Sequence, residues 1–404
     1  MGVVQVRDEG GLLVLTPDGA PLVTDAAPGL DVLVIEVVGG HLSWSLHSDE
    51  ALPGAVLDDR VAAQDWLWAV YGETVAVAVA DDHPQTLTAE PAQPDLITDL
   101  RRLAYAHWVT RWWPASTIDA IPALDHNLLT SELAALTERC EMVAGGADAQ
   151  VPYGGRARSD DHTSRLDSGT DLTGTADPSL ARESGSARTA SPTSPASEPT
   201  RREGRREDYA LAAGGAVATG GLILARGTGG WDWRRCPPGI LDASEQAVTW
   251  EVSRAAGVST VRVSVVAAPD CREPIPAHLR PVAYVGAVTG ATRLAGQTNT
   301  PIPDLPDTGP AVTSGGSDFD APTRTLAVAL RLQGDSWVGH VQLPDGADSV
   351  VTVDVFVPGV GPADPPEDES AQRERIRGFA RERLTGANGF PRLAAETAAE
   401  EGDF

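Results

Sequence analysis

The chain has 404 residues, is 42% hydrophobic, and carries 57 acidic against 31 basic side chains, for a formal net charge of -26. It contains no lysine, which excludes P-loop nucleotide hydrolases, protein kinases and pyridoxal-phosphate enzymes, because each of these needs a lysine in its site. The acidic excess repels phosphate backbones, so no nucleic-acid partner is expected.

Residues 1–143 are predicted to form an α+β domain, in which a small mixed sheet is followed by a helical pair. The turn Thr16-Pro17-Asp18-Gly19 predicts a hairpin, because proline fixes one backbone angle and glycine permits another. In chain order, we expect hairpin strands at 12–15 and 22–24, a central buried strand at 30–38, a half-buried strand at 41–47, a helix at 60–71, a strand at 74–80, and helices at 95–113 and 125–143.

The composition changes over residues 144–206, which contain only five large hydrophobic residues. Such a segment buries too little apolar surface to offset its ordering entropy, so we predict a disordered linker. Its nine arginines balance nine acidic residues, which leaves 48 acidic and 22 basic residues in the flanking regions. As a flexible coil, a linker of this length spans roughly 45 Å and would let two domains engage separate sites without a fixed mutual interface.

Residues 207–362 are predicted to form an antiparallel β-sandwich, since apolar and polar residues alternate along about seven short segments. We expect these strands near 221–225, 247–254, 261–265, 282–288, 326–332, 337–343 and 351–357, with a long loop at 297–322. Residues 363–404 are predicted to hold a C-terminal helix at 367–384 and a polar tail that is either disordered or carries one more short helix.

The sequence predicts neither export nor membrane insertion. Residues 1–9 lack the basic and apolar regions of a signal peptide, and no apolar run approaches the ~20 residues of a membrane-spanning helix. The three cysteines, Cys140, Cys236 and Cys271, are odd in number and widely spaced, which favours reduced thiols over a disulfide framework. We therefore expect a cytoplasmic protein with no membrane partner.

Three residues of the N-terminal region are weak catalytic candidates: His107, Arg111 and Asp125. An imidazole that titrates near neutral pH suits a general base, but no GxSxG or HExxH motif accompanies His107. The structural alternative makes His107 a buried, hydrogen-bonded side chain and Asp125 a helix N-cap. No metal and no cofactor are predicted, because no set of three ligands stands at helical or strand spacing.

Two clusters of tryptophan and arginine are the predicted binding residues: Trp112 and Trp113 in the first cluster, and Trp231, Trp233, Arg234 and Arg235 in the second. Indoles beside guanidinium groups stack on planar or cationic ligands, or bind an acidic or proline-rich partner. The structural alternative is that the first cluster docks its helix on the sheet and the second closes one end of the sandwich.

The leading hypothesis is a non-enzymatic interaction or scaffold protein, an accessory component of a multiprotein bacterial system whose protein partner is unknown. One alternative is a hydrolase or transferase with a site near His107, Arg111 and Asp125. The other is a carbohydrate-binding β-sandwich, which requires Trp231 and Trp233 to lie exposed on one surface.

Overall fold

A computed structural model describes residues 2–24, 28–81, 84–144, 221–272, 274–288, 323–344, 349–362, 369–386 and 390–401. The predicted linker at 144–206, apart from its first residue, and the predicted loop at 297–322 lie outside the described residues. Within the described ranges, no helix is both long enough and apolar enough to cross a membrane.

A six-stranded sheet forms the base of the N-terminal region. Its strands are β1 (Gly2–Glu9), β2 (Leu12–Pro17), β3 (Val32–Val37), β4 (Gly40–Ser45), β5 (Gly54–Leu57) and β6 (Gln85–Ala89). They lie in the order β3-β4-β5-β2-β1-β6, and each of the five pairings is antiparallel. The α+β class is confirmed, and the expected mixed sheet is refined to an antiparallel one in these strands.

In the described residues, five helices accompany this sheet: α1 (Gln64–Tyr71), α2 (Glu73–Asp81), α3 (Pro94–Trp112), α4 (His126–Arg139) and α5 (Glu141–Ala144). The long helix α3 packs on β3, and the indole nitrogen Nε1 of Trp108 donates to the carbonyl oxygen of Leu30 at 2.6 Å. Asp125 caps α4 by accepting from the backbone nitrogens of Asn127 and Leu128 at 2.8 and 3.0 Å. The helices predicted at 60–71, 95–113 and 125–143 are thus confirmed, with the last one divided at Cys140.

Three predictions for the N-terminal region are wrong. Residues 74–80 belong to helix α2, because the alternation of valine and alanine there also places apolar residues on one helical face. The segment at 22–24 is not a strand, and β2 instead pairs with β1 across Gly10 and Gly11, whose positive φ angles fit a tight hairpin turn. Strand β3 lies at an edge of the sheet rather than at its centre.

Where the structure describes it, the C-terminal region contains two antiparallel sheets, which confirms the predicted sandwich. Its strands are β7 (Leu222–Gly229), β8 (Val248–Ala255), β9 (Val258–Val266), β10 (Val282–Val288), β11 (Thr323–Ala329), β12 (Arg331–Gln333), β13 (Ser336–Gln342) and β14 (Ser349–Phe356). One sheet has the order β11-β10-β14 and the other β12-β13-β9-β8-β7. Valines of both sheets are fully buried in the core, among them Val261, Val285 and Val355.

Among the residues that the structure describes after the sandwich, two helices are present: α6 (Ser370–Leu384), as predicted, and α7 (Ala394–Glu401) in the tail. Helix α6 packs on the N-terminal region, where the ring of Phe379 meets the rings of Tyr105 and Trp108 edge-on, with centroids 6.1 and 6.4 Å apart. The buried apolar residues of both regions form one continuous cluster. The expectation of two regions without a fixed mutual interface is therefore wrong for the described residues.

Candidate functional site

The two predicted tryptophan clusters meet in one pocket at the junction of the N-terminal and C-terminal regions. Its lining comprises Arg111, Trp112, Trp113, Pro114, Ala115, Trp231, Trp233, Cys236, Pro238, Gly239, Leu241, Ala243 and Ala268. The cavity volume is about 30 Å³, which is room for one or two water molecules. The pocket is the place where residues singled out in both regions come together.

The first cluster is positioned by the end of α3. Trp113 is the C-cap of this helix, and its indole nitrogen Nε1 donates to the carbonyl oxygen of Pro122 at 2.8 Å. The guanidinium of the catalytic candidate Arg111 lies 4.7 Å from the ring centroid of Trp112, a cation–π contact with the first cluster. Burial lowers the pKa of Arg111, and the neighbouring Cys236 opposes this shift.

The two tryptophans of the second cluster are buried rather than exposed. Trp231 and Trp233 expose only 7% and 4% of their surface, and the ring centroids lie 6.5 Å apart. The indole nitrogen Nε1 of Trp231 donates to the carbonyl oxygen of Asp242 at 2.7 Å. The exposed pair of indoles that a carbohydrate-binding surface requires is thus not present at these two residues.

The two arginines of the second cluster are engaged within the chain. Nη2 of Arg234 donates to the carboxylate of Glu369 and to the carbonyl oxygen of Pro28, each at 2.9 Å. Nη1 of Arg235 donates to Asp354 at 2.6 Å, and its guanidinium lies over the ring of Phe356 at 4.1 Å. Both side chains therefore join separate segments of the fold.

Asp242, for which the sequence predicts no role, connects the two regions and lies in the chain between the pocket residues Leu241 and Ala243. Its buried carboxylate accepts from Oγ of Ser116 at 2.7 Å, from the backbone nitrogen of Thr117 at 2.7 Å and from that of Ser244 at 2.9 Å. Burial raises the pKa of Asp242, and these hydrogen bonds oppose the rise. Nothing in the local sequence distinguishes this aspartate from one in a turn.

The arginines of α6 extend the same junction. Nε of Arg373 and Nη1 of Arg377 lie 2.6 and 3.1 Å from Oε1 of Glu245 in the sandwich. Nη2 of Arg381 lies 3.0 Å from the carboxylate of Asp119 in the N-terminal region. The spacing of four residues between these arginines places them on one helical face, a signal that was available in the sequence.

The three weak catalytic candidates do not converge. Arg111 lines the pocket, but neither His107 nor Asp125 is among its lining residues. His107 is partly buried, and burial lowers its pKa. Asp125 is exposed at the start of α4, where it is the predicted N-cap.

Metal-ligand clusters and buried cysteines were the remaining candidates for chemistry in the described part of the chain. No group of three or more His, Cys, Asp or Glu side chains there has the arrangement of a metal site. Cys140 and Cys236 are free thiols, and both are buried. Burial raises the pKa of Cys140 to about 12 and also raises that of Cys236, so neither is a ready nucleophile.

No protein-family model, curated protein or solved structure matches this chain.

Proposed function

We propose that the protein is a non-enzymatic interaction or scaffold protein, an accessory component of a multiprotein bacterial system that works in the cytoplasm. One observation carries this proposal: the aromatic and charged side chains best suited to chemistry hold the chain's own segments together. Trp231, Arg234 and Asp242 each make side-chain hydrogen bonds within the fold. Because these side chains are already engaged in contacts within the chain, the site favours a structural or interaction role over turnover of a substrate.

The pocket itself argues against a substrate site. Small-molecule sites are concave and combine apolar walls with a few convergent polar groups of perturbed pKa. Here the ionisable lining residues are Arg111, which stacks on Trp112, and Cys236, whose thiol is kept protonated by burial. This combination provides neither a general base nor an activated nucleophile.

The charge distribution indicates which partners are compatible with the flanking regions. These regions hold 48 acidic and 22 basic residues, so they repel polyanions and attract partners with basic surfaces. The same excess weakens any interaction with nucleic acid, since phosphate contacts need concentrated arginine or lysine.

Affinity purification of the tagged full chain from its native host, with quantitative mass spectrometry, tests the proposal. We expect one or more proteins to be retained in constant ratio and to re-form the complex when both components are purified separately. The hydrolase or transferase alternative predicts instead a measurable turnover that Arg111→Ala and His107→Ala abolish. Such turnover, together with failure of every captured protein to re-form a complex, would overturn the interaction function.

A further inference from the structure

Arg111 in the pocket differs from other arginines at the junction of the two regions, because it has no carboxylate partner. Arg234 pairs with Glu369 at 2.9 Å, and Arg373 pairs with Glu245 at 2.6 Å. Within the described ranges, the guanidinium of Arg111 makes neither an ion pair nor a hydrogen bond. A partly buried cation without a counter-ion is costly, so its neighbourhood favours an anion.

The pocket itself supplies no negative charge to Arg111. The ionisable neighbour in the lining is Cys236, and burial raises the pKa of its thiol, which is therefore uncharged. Among the described residues that line the pocket, none is an aspartate or a glutamate. A cationic ligand would meet the guanidinium, whereas an anionic ligand would compensate it. The charge of the pocket thus selects an anion.

The contact with Trp112 positions the guanidinium for such a ligand. The two groups lie 4.7 Å apart, measured to the ring centroid. This contact uses the face of the indole and no hydrogen-bond acceptor, so the N–H groups of Arg111 remain for a ligand. Their planar fork matches the two oxygens of a carboxylate. Arg111, Trp112 and Trp113 are all partly exposed, so a carboxylate can reach the pocket from solvent.

The size of the cavity and its backbone groups favour a side-chain carboxylate. A volume of about 30 Å³ is room for a group as small as one or two water molecules, which excludes an aromatic ring. A C-terminal carboxylate is typically captured by free backbone N–H groups. Here the backbone nitrogens of Ala115 and Ala243 already donate to the carbonyl oxygens of Trp113 and Ala115, and Pro114 and Pro238 have no N–H.

The charge around the pocket limits the residues that can accompany this carboxylate. Both carboxylate oxygens of the exposed Asp270 lie 3.8 Å from the position that a Cβ atom at Gly239 would take. The flanking regions as a whole hold 48 acidic and 22 basic residues. A run of acidic residues is repelled by such a field. A single carboxylate among neutral or basic residues is not.

We propose that the pocket binds one aspartate or glutamate side chain of a protein partner, in a segment whose other residues are neutral or basic. The guanidinium of Arg111 donates to this carboxylate. The surrounding indoles keep water away from the pair, which strengthens the attraction between the two charges. This inference rests on the proposed function and specifies the group of the partner that the pocket takes.

The test uses random peptides that are joined by their C-termini to a phage coat protein and selected on the full chain. Each acidic residue of a selected peptide is then changed to its amide, and calorimetry measures binding to the wild type and to Arg111→Gln. Arg331→Gln, at an exposed arginine in β12, is the matched control. The change in the peptide leaves the protein intact, so its effect is independent of the folding of any variant.

We expect one amide substitution to weaken binding to the wild type at least about tenfold, because it removes hydrogen bonds between charged groups. Arg111→Gln should weaken binding of the unchanged peptide by a similar factor. The amide substitution should then change binding to Arg111→Gln less than about twofold, since the two groups act as a pair. Arg331→Gln should bind every peptide as the wild type does.

Other outcomes overturn the inference. These are a selection without peptides that depend on Arg111, amide substitutions that weaken binding to the wild type and to Arg111→Gln equally, or binding restored by a free C-terminal carboxylate in place of the side chain. A synthetic peptide of residues 299–310, which holds Asp304 and Asp307 among prolines, is a further competitor. If it binds through Arg111 more tightly than all selected peptides, the occupant is this chain itself.

The inference and the proposed function fail in different ways. If native partners stay bound to Arg111→Gln as tightly as to the wild type, the pocket is not their contact, while the interaction function stands. If carboxylate peptides bind through Arg111 but no native protein is retained by the full chain, the interaction function fails and the carboxylate site stands.

Discussion

The guanidinium of Arg383 and the carboxylate of Glu396 form a fully buried ion pair, with Nη2 of Arg383 2.6 Å from Oε2 of Glu396. The hydroxyl of Tyr105 donates to Oε1 of the same carboxylate at 2.6 Å. The guanidinium of Arg383 lies over the ring of Tyr105, 5.0 Å from its centroid. Burial alone would lower the pKa of Arg383, but the hydrogen bonds that its guanidinium donates to Glu396 and the negative charge of that carboxylate raise it. One ion pair thus joins α6 and α7 to α3 in the N-terminal region.

Replacing Arg383 with methionine is expected to lower the free energy of unfolding by about 3–5 kcal/mol, because it leaves the Glu396 carboxylate buried without a cation. The double variant Arg383→Met/Glu396→Leu should recover part of this loss, since no charge is then buried alone. Urea unfolding, followed by tryptophan fluorescence, measures the free energy of unfolding of the single and the double variant. Arg226→Met, which removes an exposed pair with Glu251, is the control and should cost less than about 1 kcal/mol. A loss at Arg383 no larger than at Arg226 would contradict this prediction.

Asp242→Ala should destabilise the chain by about 1–3 kcal/mol, because it leaves Oγ of Ser116 and the backbone nitrogen of Thr117 buried without their acceptor. Asp270→Ala removes an exposed carboxylate in the same region and should change the midpoint temperature of unfolding little. Thermal unfolding by circular dichroism compares the two. Equal midpoints for both variants would show that the carboxylate of Asp242 does not join the regions.

The ion pairs of Glu245 predict a pH dependence of stability. Burial by itself would raise the pKa of Glu245. The hydrogen bonds and positive charges of Arg373 and Arg377 lower it by more, so the pKa lies below its usual value of 4.5. The ionised carboxylate therefore stabilises the fold above about pH 4.5, and this contribution is lost as the pH falls through the folded-state pKa.

Denaturation of the wild type and Glu245→Gln between about pH 6 and pH 3 tests this dependence. The stability difference between them should be largest at the upper end and shrink as the carboxylate is protonated. Glu251→Gln, in the exposed pair with Arg226, should show a much smaller dependence because solvent screens that pair. A difference for Glu245 that does not change with pH would be the contrary result.

The cysteines should differ in reactivity. Cys140 and Cys236 are buried and Cys271 is partly exposed, and burial raises the pKa of the first two thiols. Since the thiolate is the reactive form, iodoacetamide at about pH 8 should label Cys271 first in the native protein and all three thiols after denaturation. Peptide mass spectrometry gives the order, and equal native rates would contradict the burial of Cys236.

The sequence predicted elements whose pattern is local. Helix α3 was recognisable from apolar spacing and from Pro114 beyond its end, and Asp125 was recognisable as an N-cap. The segment at 74–80 was not, because alternating valine and alanine satisfies both the strand and the helix pattern over so short a stretch.

The candidate site depended on contacts between residues far apart in the chain. Trp112 and Trp231 were both singled out, but their meeting in one pocket joins segments more than a hundred residues apart. The sequence does not predict the burial of Trp231 either, because an indole near an arginine has the same local pattern whether it binds a partner or packs in the core. The hydrogen bond between Ser116 and Asp242 had no local signal at all.

Cleavage between the flanking regions tests the central claim most directly, namely that they form one folded body joined by internal contacts. A site-specific protease sequence is inserted between Gly174 and Thr175, the full chain is purified and cut, and the products are passed over a size-exclusion column. We expect the two fragments to elute together in a one-to-one complex and to separate when the cut chain also carries Arg383→Met and Asp242→Ala. Fragments that elute separately from the otherwise unchanged chain would contradict the claim.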